Sequence, residues 1–170
     1  WERTPTSLGV ERVVNCWKLQ KGEKKMKIAG IQKLSMVDYP GKMACTIFFS
    51  GCNFRCPYCH NSSLVIPEQD QSYVDEEEVL KFLKKRQGLL EGVCISGGEP
   101  LLQGKSLIPF LEKIKELGYF VKLDTNGTSP DLLKQLCSEK LVDYVAMDIK
   151  NSRKNYGKAI GIEEERQDSI

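Results

Sequence analysis

The chain has 170 residues, with 25 Lys+Arg against 23 Asp+Glu and a formal net charge of +2. That length can bury about 70% of the surface exposed by the unfolded chain, so a sizeable core needs no covalent staples. The near-neutral, dispersed charge argues against a nucleic-acid or membrane-surface protein. No apolar run approaches the ~18 residues of a membrane span and the start lacks the order of a signal peptide, so the cytoplasm is the expected compartment.

Residues 1–25 show no helical or strand period and end in the charged run Lys21-Gly22-Glu23-Lys24-Lys25; they read as a translated leader or a flexible arm. Met26 opens the domain, which gives 26–170 as the core. An apolar run at residues 45–49 ends in Ser50-Gly51. The helix after it starts near Asp75, where Asp75 and Glu78 are spaced as a capping box and Val79, Leu80, Phe82 and Leu83 form an apolar face. Residues 93–96 make a second run, whose helix carries Leu107, Phe110, Leu111, Ile114 and Leu117 before stopping at Gly118. A third run at 120–124 precedes Ser129-Pro130, read as an N-cap and first-turn proline, with Leu132, Leu133 and Leu136 on the buried side. Residues 144–149 are a fourth run, and Glu163-Glu164-Glu165-Arg166 is spaced as the first turn of another helix. Apolar strands separated by crossover helices predict an α/β fold with a parallel sheet.

Each run carries polar residues at its C-terminal end: Gly51-Cys52, Gly97-Gly98-Glu99-Pro100, Asp124-Thr125-Asn126-Gly127 and Asp148-Ile149-Lys150. Ligands of such folds bind where the carboxyl ends of the strands converge, so the four clusters predict one active rim. Taken singly, Gly-Gly-Glu-Pro and Asn-Gly-Thr also read as ordinary turns.

Seven cysteines are an odd and high count for a reducing compartment, which points to metal or redox chemistry rather than bridging. Cys52, Cys56 and Cys59 form a Cys-x3-Cys-x2-Cys loop that can bring three thiolates to one inorganic centre. A structural zinc usually takes four ligands as two separated pairs, and His60 directly adjoins Cys59. Cys56-Pro57-Tyr58-Cys59 alone resembles a dithiol, and with His60 a c-type haem attachment site, but both readings leave Cys52 idle. A ferredoxin-like carrier needs a fourth cysteine. Cys45, Cys94 and Cys137 read as buried small hydrophobes, and Cys16 has no evident role. Three thiolates on a four-iron cube would leave one iron open to substrate.

The cysteine loop followed by Gly97-Gly98-Glu99-Pro100 resembles the radical S-adenosylmethionine (SAM) superfamily. The wider stretch, from Val37-Asp38-Tyr39-Pro40-Gly41 through Tyr58-Cys59-His60-Asn61 to Leu123-Asp124-Thr125-Asn126-Gly127 and Asp148-Ile149-Lys150, resembles glycyl-radical enzyme activating enzymes. Among these it is most similar to the activating proteins of anaerobic ribonucleoside-triphosphate reductase, with pyruvate formate-lyase activating enzyme as a near relative. The resemblance implies a partial (β/α) barrel, with four of six βα units present and the C-terminal units cut off. It implies a 4Fe-4S cluster on Cys52, Cys56 and Cys59, with SAM chelating the open iron. Glu99 and the backbone of Gly97 and Gly98 would then meet the SAM ammonium group, assisted by Asp124. Lys150 would meet the SAM carboxylate, Tyr58 the adenine or the cluster's shield, and Asn126 would complete the cofactor contacts. Asp124, Thr125 and Asp148 are also implied in a monovalent cation site. The implied reaction is one-electron reductive cleavage of SAM to methionine and a 5′-deoxyadenosyl radical, which takes hydrogen from a glycine of the partner reductase. A flavodoxin or ferredoxin-like donor would supply the electron, and no side chain need act as acid or base.

Overall fold

A computed structural model describes residues 25–68 and 70–162. Its strands β1 (Ile28–Ser35), β2 (Ala44–Phe49), β3 (Gly92–Gly97), β4 (Phe120–Thr125) and β5 (Tyr144–Met147) form one sheet in sequential order. β2 to β5 run parallel, and β1 pairs antiparallel with β2. Between β2 and β3 lie α1 (Ser62–Val65) and α2 (Glu76–Lys85). A 3-10 segment (Pro100–Ser106) and α3 (Leu107–Glu116) link β3 to β4, α4 (Pro130–Ser138) links β4 to β5, and α5 (Tyr156–Ile160) follows. This is the winding of a (β/α) barrel, left open among the described residues. No described helix is long and apolar enough to cross a membrane.

Strand alternation divides the sheet into two unlike faces. Parallel register aligns Cys45 with Val93 and Ile47 with Ile95, and then Val93 with Val121 and Ile95 with Leu123. These residues are fully buried against Val79 and Leu83 of α2, Phe110 and Ile114 of α3, and Leu136 of α4. Phe49 meets Phe110 edge to face at 6.4 Å between ring centres. The opposite face carries Thr46, Cys94 and Lys122 in one row and Phe48 and Ser96 in the next, with Asp124 beside Ala146 of β5. Polar chemistry is thereby confined to the face without the helix-packed core.

All four expected parallel strands form; α2 and α4 begin just after Asp75 and Ser129 as expected, and α3 ends just before Gly118. β1 is an addition that the sequence does not announce. Two register irregularities break its alternation and residues near its far end are exposed, so its pattern has no period of two. Ile149 falls outside β5, because pairing with β4 stops at Thr125↔Met147 and the chain then leaves the sheet. Asp75 caps α2 by accepting from the Glu77 backbone N–H. Ser129 precedes α4 but makes no side-chain capping bond. Cys137, expected to be buried, is exposed: Leu136 occupies the inward position of α4 and its neighbour turns to solvent. The expected leader, apart from Lys25, and the expected helix start at residues 163–166 lie outside the described residues, as does Cys16.

Phe110→Ala empties the centre of the helix–sheet interface. The expected cost is about 3–5 kcal/mol of stability, read by chemical denaturation.

Candidate active site at the carboxyl rim

The parallel register ends β2, β3 and β4 side by side, so their following loops must share one rim. Two glycines allow this closeness. Gly97 sits at φ +121, and a Cβ there would overlap the backbone oxygen of Phe49. A Cβ on Gly98 would overlap the carbonyl of Gly51. The two backbones are instead stitched together, Gly98 N–H donating to Phe49 O and Glu99 N–H to Gly51 O, both at 2.8 Å.

Beyond Gly51 the chain forms the cysteine loop. Gly51 and Cys52 donate from their backbone N–H groups to Leu64 and Val65 of α1. Phe54 is buried against Tyr156, and Arg55 N–H donates to Ile160 O of α5 at 2.7 Å. The loop is therefore gripped on both sides. Cys52, Cys56 and Cys59 line a cavity of about 570 Å³, within the usual range of small-molecule sites. Tyr58, His60, Gly97, Gly98, Asp124, Thr125, Asn126, Asp148 and Lys150 line the same cavity. Tyr58 donates from its hydroxyl to Lys150 O at 3.3 Å.

Glu99 is the exception among the expected site residues, since it lies behind the cavity wall at 1% exposure. Its Oε1 accepts from Thr125 Oγ1 at 2.8 Å and from Leu101 N–H at 3.1 Å, and its Oε2 accepts from Asn126 N–H at 2.7 Å. One carboxylate thus caps the 3-10 segment and ties the β3 loop to the β4 loop. Burial pushes this carboxyl upward, and the three donors only partly oppose the shift.

The site's charges come in pairs. Lys122, mostly buried, bonds to Asp124 Oδ1, and Lys150 reaches Asp148 Oδ2 at 2.6 Å. Burial, the largest single influence, would pull both ammonium groups down, but the hydrogen bonds they donate to their aspartates, together with the neighbouring negative charges, outweigh it, so both shift upward and stay charged. Cys94 points its sulfur at Asp124 Oδ2, 3.4 Å away. Burial, with the charge of Asp124 next in size, pushes that thiol up to about 12, so it remains a protonated donor.

The cysteine loop behaves differently. Burial pushes the Cys52 thiol up; the Phe54 N–H at 3.4 Å opposes this, while Glu99, Cys56 and Cys59 add to it. Cys56 is also raised, chiefly by burial, with Lys150 opposing. Among the described residues no three His, Cys, Asp or Glu side chains are already drawn into metal-holding geometry, these thiols included. The donor set nevertheless suits an iron–sulfur centre: three thiols on one gripped loop face one cavity, and their mutual repulsion as thiolates is relieved by a bound cationic metal. Asn53 and Thr128, which the sequence does not single out, hydrogen-bond to each other at 2.8 Å across the cysteine loop and the β4 loop. Their only sequence signal is position, one residue after Cys52 and two after Asn126.

Glu99→Gln keeps the shape of the side chain but turns an NH₂ group toward one of three N–H or O–H donors. A loss of about 2 kcal/mol is expected in denaturation of the protein without added iron or SAM; an unchanged midpoint would contradict this account of the rim.

Comparison with known proteins bears on the same residues. Over 127 residues the chain is 42% identical to a Methanocaldococcus jannaschii protein provisionally assigned as a glycyl-radical enzyme activating enzyme, covering 74% of this chain and 51% of that one. It is 35% identical over 130 residues to the pyruvate formate-lyase-activating enzyme of Clostridium pasteurianum, covering 74% and 52%. It is 29% identical over 129 residues to the 7-carboxy-7-deazaguanine synthase of Thermococcus kodakarensis, covering 65% and 50%. The chain thus spans about half the length of the curated relatives it matches. The sequence pattern of the Radical SAM superfamily matches residues 46–170, from β2 through the cysteine loop and every rim cluster, and the chain belongs to that superfamily.

Proposed function

We propose that this chain is the cluster-bearing part of a glycyl-radical enzyme activating enzyme acting on anaerobic ribonucleoside-triphosphate reductase in the cytoplasm. The observation that carries the reading is the convergence of three thiols, the glycine-lined edge and two ammonium–carboxylate pairs on one cavity. Similarity to two activating enzymes supports the choice of reaction class. With a 4Fe-4S cluster and SAM bound, the site would supply one-electron cleavage of the sulfonium and hence a radical able to take hydrogen from a partner's glycine.

The chain's own residues would bind and orient. Cys52, Cys56 and Cys59 supply three thiolates, one fewer than the irons, which leaves a coordination position for a chelating ligand. The amino-acid end of SAM is a zwitterion, and the paired charges of the cavity match it. Its ammonium suits Asp124 and the backbone edge of Gly97 and Gly98; its carboxylate suits Lys150. Glu99, buried and already accepting three hydrogen bonds, holds that edge in place and has little left to offer a ligand directly. Tyr58, half-exposed, lines the cavity, where its ring would meet the adenine or shield the cluster from water. Asn126 ties the cavity wall to Cys52. A monovalent cation at Asp124, Thr125 and Asp148 would have to compete with Lys122 and Lys150, which already meet both carboxylates. No acid or base is required of His60. The electron donor that fits is a flavodoxin or ferredoxin-like protein.

Anaerobic reconstitution with iron and sulfide is expected to give about four irons per chain, and reduction with SAM to release 5′-deoxyadenosine. Cys52→Ser should abolish both, whereas Cys137→Ser, on the exposed side of α4, should leave both intact. A colourless zinc protein, or SAM cleavage that survives Cys52→Ser, would sink the reading. Electron paramagnetic resonance after mixing with the reductase is expected to show a glycyl radical. A radical formed only on pyruvate formate-lyase would transfer the assignment to that partner, which the 35% identity favours as the second reading. Radical SAM chemistry without any glycyl radical would point to a small-molecule substrate.

A further inference from the structure

Asn53, Thr128 and Asn126 close a ring of side-chain hydrogen bonds beside Cys52. Asn53 Nδ2 donates to Thr128 Oγ1 at 2.8 Å, Thr128 Oγ1 donates to Asn126 Oδ1 at 2.7 Å, and Asn126 Nδ2 donates back to Asn53 Oδ1 at 2.8 Å. Each hydroxyl or amide uses one donor and one acceptor, so the ring is complete in one sense of rotation.

The backbone decides which way the Asn126 amide faces. Thr128 N–H, which can only donate, meets Asn126 at 3.1 Å, so the oxygen of that amide must face Thr128. Its nitrogen then turns toward the cysteine loop, and Asn126 Nδ2, besides bonding to Asn53, lies 3.9 Å from Cys52 Sγ. The Asn126 backbone is pinned independently by Glu99 Oε2 at 2.7 Å. Both ends of the residue are therefore held, and what they hold is a donor aimed at a sulfur. A plain tie between the two loops would need only the Asn53–Thr128 bond.

We propose that the Asn53–Thr128–Asn126 ring sets the reduction potential of the cluster by keeping the Asn126 amide nitrogen turned to the Cys52 sulfur. This rests on the reading above that Cys52, Cys56 and Cys59 hold a four-iron cluster. A hydrogen bond to a ligand sulfur draws off electron density and favours the reduced state, so its loss lowers the potential. Asn53 and Thr128 are positioning residues here, acting through Asn126.

The test is a redox titration of the reconstituted full chain, without SAM or partner, followed by electron paramagnetic resonance of the reduced cluster. Asn126→Leu is expected to raise the oxidised-to-reduced ratio at fixed potential about tenfold, a negative shift of ~59 mV for a one-electron couple. Thr128→Val should shift it the same way by less, because the backbone N–H still orients the amide, and Thr128→Ser should restore the wild-type value. Variants with full iron content and an unmoved potential would overturn the proposal. So would variants that fold by circular dichroism but hold no cluster, since the ring would then serve assembly rather than tuning. A wild-type protein that takes up no iron overturns the reading of the site itself and the ring's role with it, an outcome distinct from the other two.

Discussion

The close approach of two backbones at the end of β3 is the constraint on which the rest of the site depends. Gly97 and Gly98 lie against Phe49 and Gly51 with no room for a Cβ. This contact sets where the cysteine loop leaves β2, and the next step of the chain places Glu99 behind the cavity. The Glu99 carboxylate then holds Thr125 and Asn126 at the end of β4, and the Asn126 side chain returns to Asn53 and Cys52. The rim is thus a closed circuit through three successive strand ends. A parallel sheet brings those ends within reach, but only glycine lets them touch.

Electrostatics complete what the backbone begins. Glu99, Asp124 and Asp148 crowd three carboxylates around a cavity that also holds three thiols, an arrangement that would repel itself if all were charged and unpaired. Each acid has a distinct answer. Lys122 meets Asp124 from the polar face of the sheet, Lys150 meets Asp148 from the following loop, and three N–H or O–H donors meet Glu99. The thiols are less fully answered: Cys52 takes the Phe54 N–H at 3.4 Å and the Asn126 amide at 3.9 Å, and burial still keeps Cys52 and Cys56 on the protonated side. The cavity is balanced everywhere except at the cysteine loop, which is where a cationic metal centre would bring the largest gain.

Much of this was legible in the sequence because the relevant signals are local. Residues Val93 and Ile95, Val121 and Leu123 announce strands buried on the helix side, and the Gly, Asp or Asn after each run announces the rim. The cysteine spacing is equally local. What stayed hidden depends on contacts between distant segments. β1 carries no alternation because residues 32–34 are exposed and two register shifts interrupt it, and only its pairing with β2 makes it a strand. Glu99 reads as a cavity residue from its place after two glycines, yet Thr125 and Asn126, 26 and 27 residues later, draw it behind the wall. Asn53 and Thr128 look like loop filler until the fold brings them together over a separation of 75 residues.

The division of the sheet into two faces explains how one short chain can hold both a rigid core and a charged site. On the helix side Ile47, Ile95, Val121 and Leu123 are fully buried, so the strands cannot shift without opening that core. On the other side the same strands carry Thr46, Cys94, Lys122 and Asp124, whose hydrogen bonds run between β3 and β4, along β4, or to the β1–β2 loop. A buried ion pair seldom adds stability over an apolar pair of similar size. Lys122 and Asp124 are therefore better understood as fixing charge at the cavity floor than as strengthening the fold. The apolar face supplies the stability that lets the polar face keep them there.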